Sequence, residues 1–174
     1  MKLIIINIIR FALLIFLQIF VVNQIGFGFM TPYISVVVYI SFLLTFPVNI
    51  SKYILLVVAL VLGLTIDMFQ NTGGIHASAC LFMAFARPFL LRRLQSDSPI
   101  EEIEELTVYT EDLQKYLTYS LLLSFLFFVW LFLLEEFSFT RMPLIILKAV
   151  LSSIMSTSLI ILGQFLLIRK PKKQ

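Results

Sequence analysis

The 174-residue sequence has little charge and very little cysteine or histidine. Asp, Glu, Lys and Arg make up 13% of it, against about 25% in a soluble globular domain. Apolar residues make up 60%. The single cysteine excludes an internal disulfide and any multi-cysteine zinc or iron–sulfur site, and the single histidine excludes a multi-histidine metal cluster. These shortages predict an integral membrane protein with no metal site and no cofactor.

The apolar residues lie in long continuous runs, a pattern that favours helices over the alternating strands of an outer-membrane barrel. A helix needs about 20 apolar residues to cross a bilayer. We therefore predict a single all-α transmembrane domain, residues 1–174, built as a six-helix bundle. The predicted helices cover residues 3–22, 31–46, 53–69, 76–91, 116–134 and 143–168. The second run is short and lies between Pro32 and Pro47, which allows a tilted or partly re-entrant segment.

The distribution of basic residues predicts the orientation in the membrane. Of the 13 Lys and Arg residues, all but Arg141 and Lys148 lie on one side if both termini are cytoplasmic. Because Lys and Arg concentrate in cytoplasmic connections, we expect a multi-pass protein with that orientation. The basic tail, RKPKKQ, then acts as a stop signal at the anionic inner leaflet of the lipid bilayer and not as a nucleic-acid site.

The longest polar connection, residues 95–115, is acidic and predicted to lie in the cytoplasm. Its start, SDSPIEEIEE, combines a Ser N-cap, a Pro at the first helical position and one apolar stripe. These features predict a short amphipathic helix. Such a helix is either a solvated connector or a docking surface for a partner. The docking hypothesis depends on four acidic residues: Glu101, Glu102, Glu104 and Glu105.

Four ionisable residues fall within the predicted spans, where charged side chains usually face protein or water. Arg10 and Arg87 lie toward the cytoplasmic half and either snorkel or form a hydrogen bond within the protein. Pro88 frees a backbone carbonyl that Arg87 or a neighbour can satisfy. Asp67 and Lys148 both lie near the outer ends of their helices, so a salt bridge between them is geometrically possible. The alternative is that Asp67 orders the connection that follows it.

The connection after Asp67 predicts a tightly packed helical hairpin. Gly73 and Gly74 permit backbone angles that other residues avoid, and small residues after them allow close helix approach. Gly63 lies one turn before Asp67 on the same face. His76 suits a cap or a hydrogen bond better than a metal ligand. The sequence holds no phosphate-binding loop, zinc motif or nucleophile elbow, so we expect no enzymatic activity.

The stretch GLTIDMFQNTGGIHASACLFMAFARPFLL resembles the signature of the MreD family, the rod shape-determining membrane proteins of bacteria. The resemblance combines a Gly-Leu-x-x-Asp helix, a Gly-containing turn and a His-Ala helix start. It rests on Gly63, Leu64, Asp67, Gly73, Gly74, His76 and Ala77. Chain length, helix count and the basic C-terminus agree over essentially the whole chain, whereas the acidic connection is not part of the signature.

The resemblance implies a non-enzymatic scaffold of the cell-elongation machinery in the bacterial inner membrane. The implied partners are an MreC-like membrane protein and, indirectly, MreB, the RodA glycosyltransferase and a class B penicillin-binding protein. The implied fold is similar to the substrate-binding component of energy-coupling-factor transporters. That similarity supplies the alternative function, a vitamin-binding membrane subunit in which Asp67 and His76 line an outward-facing pocket.

Overall fold

A computed structural model describes residues 2–22, 33–94, 112–137 and 139–167, and its secondary structure over these residues is entirely helical. The helices are α1 (Lys2–Phe20), α2 (Ser41–Thr45), α3 (Lys52–Gln70), α4 (Ile75–Leu94), α5 (Leu113–Glu136) and α6 (Met142–Leu167). A single 3-10 turn, Phe139–Arg141, lies between α5 and α6. The predicted all-α class is therefore confirmed for the described part of the chain.

Three of the described helices, α3, α5 and α6, are long and apolar enough to cross a membrane. The helix α4 is of similar length but less apolar, because it carries His76, Arg87, Arg92 and Arg93. In α1 the part whose side chains are described, Asn7–Phe20, is also apolar. Length and composition thus support a membrane protein with three candidate spans among the residues that the structure describes.

The four long helices from α3 to α6 pack in chain order, α3 on α4, α4 on α5 and α5 on α6. The largest fully buried side chains are mostly aromatic and include Tyr39, Tyr116, Tyr119, Phe127 and Phe128. Edge-to-face contacts join Tyr39 to Phe127 and Phe127 to Phe128, with ring centroids 6.1 and 5.4 Å apart. This geometry is favourable for aromatic pairs, so α5 supplies much of the core on which the other helices pack.

The prediction of a helix over residues 31–46 was wrong, because the described part of this range is helical only in α2. Residues 34–38, which we call the clamped segment, contain no helical turn. Three of them are consecutive valines, whose branched side chains disfavour a helix and fit extended backbone. Val36 and Val37 are nonetheless buried, so the segment passes through the protein interior and not over its surface.

Side chains from α1 and α6 supply the hydrogen bonds that the clamped segment does not make with itself. The amides of Ser35 and Val37 donate to the Oγ atoms of Ser152 and Ser156, at 3.0 and 2.9 Å. These serines lie one helical turn apart, about 6 Å, which matches the spacing of every second residue in extended backbone. On α1, Gln18 accepts from the Val38 amide at 2.7 Å and donates to the Val36 carbonyl at 3.0 Å.

Arg87 joins the middle of α4 to α2 and α5. Its guanidinium is buried, at 2% exposure, and Nε donates to the Tyr119 hydroxyl at 2.8 Å. Its Nη2 donates to the carbonyls of Leu44 and Phe46 at the C-terminal end of α2. Helix C-termini have unpaired carbonyls and attract cations. Of the two alternatives for Arg87, the structure therefore shows the hydrogen bond within the protein and not snorkelling, and its acceptors lie on α5 and at the end of α2.

We expect Arg87→Lys to destabilise the protein by about 1–3 kcal/mol, because one ammonium group cannot replace a guanidinium that bonds on two sides. The measurement is the free energy of unfolding in mixed detergent micelles. Arg92→Lys on the same helix is the control, since Arg92 is exposed, and it should unfold like the wild type. Equal stability of both variants would contradict this role of Arg87.

Candidate functional site

The candidate site is the turn between α3 and α4 together with the helix ends that it joins. Asn71 ends α3 in the left-handed conformation, with φ 54°, and its amide donates to the Asp67 carbonyl. Gly73 and Gly74 follow with φ 60° and 99°. An added Cβ at either glycine would meet no neighbouring atom. Glycine is therefore favoured at both positions by the positive φ angles and not by a lack of space for a side chain.

The Asp67 carboxylate caps the N-terminus of α4 from the neighbouring helix. Its Oδ1 accepts the His76 amide at 3.0 Å and also the Thr72 hydroxyl, and its Oδ2 accepts the Ala77 amide at 2.8 Å. The first amides of a helix have no partner within that helix, and its N-terminus attracts negative charge. Asp67 is itself buried, at 6% exposure, so these bonds form away from solvent.

Gly63 allows α3 and α4 to touch through their backbones. A Cβ at position 63 would lie 2.3 Å from the Ala77 Cα and 2.6 Å from the Ala77 nitrogen. That nitrogen is the donor to Asp67 Oδ2. Gly63 and Asp67, one turn apart on α3, thus fix the same point of α4. A larger residue at position 63 would separate the helices and lengthen the capping hydrogen bonds.

His76 connects this hairpin to the residue that follows the clamped segment. Its Nδ1 lies 2.8 Å from the hydroxyl of Tyr39, within hydrogen-bond distance. Both side chains are buried, and their rings meet edge to face with centroids 6.0 Å apart. Among the described residues no group of three or more His, Cys, Asp and Glu side chains could hold a metal ion. The geometry gives His76 a hydrogen-bonding role.

An open apolar groove of about 550 Å³ lies beside the hairpin, lined by α3, α4 and Trp130 of α5. The Trp130 indole donates to the Ser78 Oγ at 2.8 Å and stacks on Phe82 with centroids 4.5 Å apart. Sequence analysis did not predict this groove, because three helices form it and no local pattern marks their contact.

The hypothesis of a salt bridge between Asp67 and Lys148 was wrong. Asp67 caps α4, and the Lys148 Nζ instead contacts Glu136 Oε1 at 2.7 Å. Arg141 contacts the other oxygen of Glu136 at 3.1 Å. Glu136 ends α5, the helix on which α6 packs, whereas Asp67 lies on α3. The structure agrees with the alternative for Asp67, in which its carboxylate orders the connection that follows it.

The remaining sequence-predicted residues lie apart from this site. Leu64 is exposed on α3, and Arg10 is half-buried on α1. Glu101, Glu102, Glu104 and Glu105 lie outside the described residues, so the docking hypothesis stays a prediction. The structure thus brings together Gly63, Asp67, Gly73, Gly74, His76 and Ala77.

Comparisons with known protein families, curated proteins and solved structures found no match.

We expect Gly63→Ala to destabilise the hairpin by about 1–3 kcal/mol, because its new methyl group would overlap the Ala77 backbone. Gly163→Ala is the matched control, since a Cβ at position 163 of α6 would meet nothing within 4 Å. The control variant should be as stable as the wild type or slightly more stable, because alanine stabilises a helix more than glycine does. The measurement is thermal unfolding in detergent, and equal midpoints for the two variants would reject the close contact.

We expect Asp67→Ala to lower the free energy of unfolding by about 2 kcal/mol, because buried amides of α4 lose their acceptor. Asp67→Asn should fall between the alanine variant and the wild type, since its one carbonyl oxygen still accepts one amide. Asp112→Ala is the control: Asp112 precedes α5 but makes no capping hydrogen bond. A loss as large at Asp112 as at Asp67 would show that capping is not the cause.

Proposed function

We propose that the chain is a non-enzymatic, MreD-like scaffold of the bacterial inner membrane that helps maintain rod shape during cell elongation. One observation carries the proposal: most of the residues on which the MreD resemblance rests meet in one structural unit. Gly63 sets the helix spacing, Asp67 caps α4, Gly73 and Gly74 form the turn, and His76 binds Tyr39. Motif residues that act together in one structural unit support the resemblance better than a match of amino-acid sequence alone.

The direction of the polar groups favours a scaffold over the alternative, a vitamin-binding transporter subunit. That alternative needs Asp67 and His76 to line an outward-facing pocket. Both carboxylate oxygens of Asp67 accept hydrogen bonds from the turn and α4, and His76 Nδ1 faces the buried Tyr39. Groups engaged in this way hold the fold together, and a ligand would have to displace backbone amides to reach the carboxylate.

The proposed topology has six membrane-crossing segments with both termini in the cytoplasm: five are helices, and the second combines the clamped segment with the short helix α2. The sided distribution of Lys and Arg supports it, and three described helices meet the length and composition of a span. In this arrangement the acidic connection 95–115 faces the cytoplasm. We propose an MreC-like membrane protein as the direct partner, and MreB, RodA and a class B penicillin-binding protein as indirect ones.

The test is depletion of the protein in its own rod-shaped host, followed by rescue from a plasmid. We expect depleted cells to lose rod shape, wild type and Asp112→Ala to restore it, and Asp67→Ala to restore it less well at equal protein level. In parallel, a tagged copy should co-purify the MreC-like protein in mild detergent. Unchanged cell shape together with failed vitamin uptake would instead support the transporter alternative.

A further inference from the structure

The clamped segment, residues 34–38, has no helical turn, and its backbone groups alternate between two helices: the Ser35 and Val37 amides bond to α6, and the Val36 carbonyl and Val38 amide bond to α1. This alternation is that of extended backbone. In an apolar environment backbone amides and carbonyls need partners, and an extended stretch is tolerated only where the surrounding protein supplies them. Here the partners are side chains of Gln18, Ser152 and Ser156. A helix would satisfy the same amides and carbonyls internally. The extended form therefore depends on the two helices that clamp it.

The segment leads directly into a helix that could extend backward over it. The Ser41 and Phe42 amides donate to the carbonyls of Val38 and Tyr39, at 3.0 and 3.1 Å, and so begin the first turn of α2. Ile40 already has right-handed helical angles, with φ −62° and ψ −19°. Winding the clamped segment onto α2 would break the clamp hydrogen bonds and leave those within α2 intact.

Two opposing tendencies act on the segment. Its consecutive valines favour extended backbone, while the need to satisfy backbone groups internally favours a helix. The clamp stabilises the extended form, and its three side chains lie on α1 and α6. Gln18 is buried at 1% exposure, and Ser152 and Ser156 are fully buried, so the clamp is intact only while α1 and α6 both lie against the segment.

We propose that residues 34–38 are a two-state element, extended while Gln18, Ser152 and Ser156 clamp them and helical, as a continuation of α2, when α1 or α6 moves away. The change would shorten the four steps from residue 34 to 38 from about 13 Å to about 6 Å. Tyr39 follows directly and contacts His76, so the change would also reach the α3–α4 hairpin. This inference does not depend on the proposed function.

The test is solid-state NMR on the full chain in bilayers, reading the Cα chemical shift of Val36. Labelled serine and valine assign it, because Ser35–Val36 is a Ser-Val pair found once in the sequence. Two variants release the clamp from opposite sides, Gln18→Leu on α1 and Ser152→Ala with Ser156→Ala on α6. Ser158→Ala is the control, since that exposed hydroxyl donates only to the Ile154 carbonyl of its own helix.

We expect an extended-type shift for Val36 in the wild type and in the Ser158 variant, and a helical shift in both release variants. Release variants that fold and keep the extended shift would overturn the proposal. Loss of folding in both release variants, with a folded Ser158 variant, would also overturn the proposal. The clamp would then be required for folding and would not choose between two folded forms.

Discussion

The capping of α4 by Asp67 is the interaction on which the rest of the fold depends. It pairs amides at the start of α4 with a carboxylate. Because that carboxylate belongs to α3, the same contact also holds the two helices together. Gly63 permits the close approach that the carboxylate needs, and the turn glycines bring the chain back over a short distance. Once α4 is fixed, His76 can reach Tyr39 and Arg87 can reach α2 and α5.

The same constraint explains several other polar residues of the interior. The places where the described chain departs from helical backbone include the end of α2, the clamped segment and the α3–α4 turn. At each of these places a side chain from another helix supplies the missing partner: Arg87, Gln18 with Ser152 and Ser156, and Asp67. Unsatisfied backbone groups cost several kcal/mol each in hydrocarbon, so these side chains are structural parts of the backbone network. This accounts for five of the buried polar residues, Gln18, Asp67, Arg87, Ser152 and Ser156, in a chain that is otherwise so apolar.

The hairpin could be predicted from the sequence because its parts lie within 15 positions, from Gly63 to Ala77. Glycine pairs, an acid near a helix end and small residues after a turn each have a local physical meaning. The clamp could not be predicted in this way, since Ser156 and Val37 are 119 positions apart. Hydropathy failed over 31–46 because it records how apolar a segment is and not where its backbone finds partners. Lys148 was paired with Asp67 by membrane depth alone, without knowledge of which helices touch.

The inward engagement of polar groups limits how the proposed scaffold would recognise a partner within the membrane. Three hydroxyls outside the buried interior, those of Thr65, Thr118 and Ser158, donate to carbonyls of their own helices. The exposed apolar side chains of these helices and of α4 include Val57, Leu64, Phe85 and Phe89. Lipid chains are as apolar as these residues, so hydrophobicity gives a partner helix no advantage over lipid. Selectivity inside the bilayer must therefore come from shape, and charge can contribute only where the chain leaves the membrane.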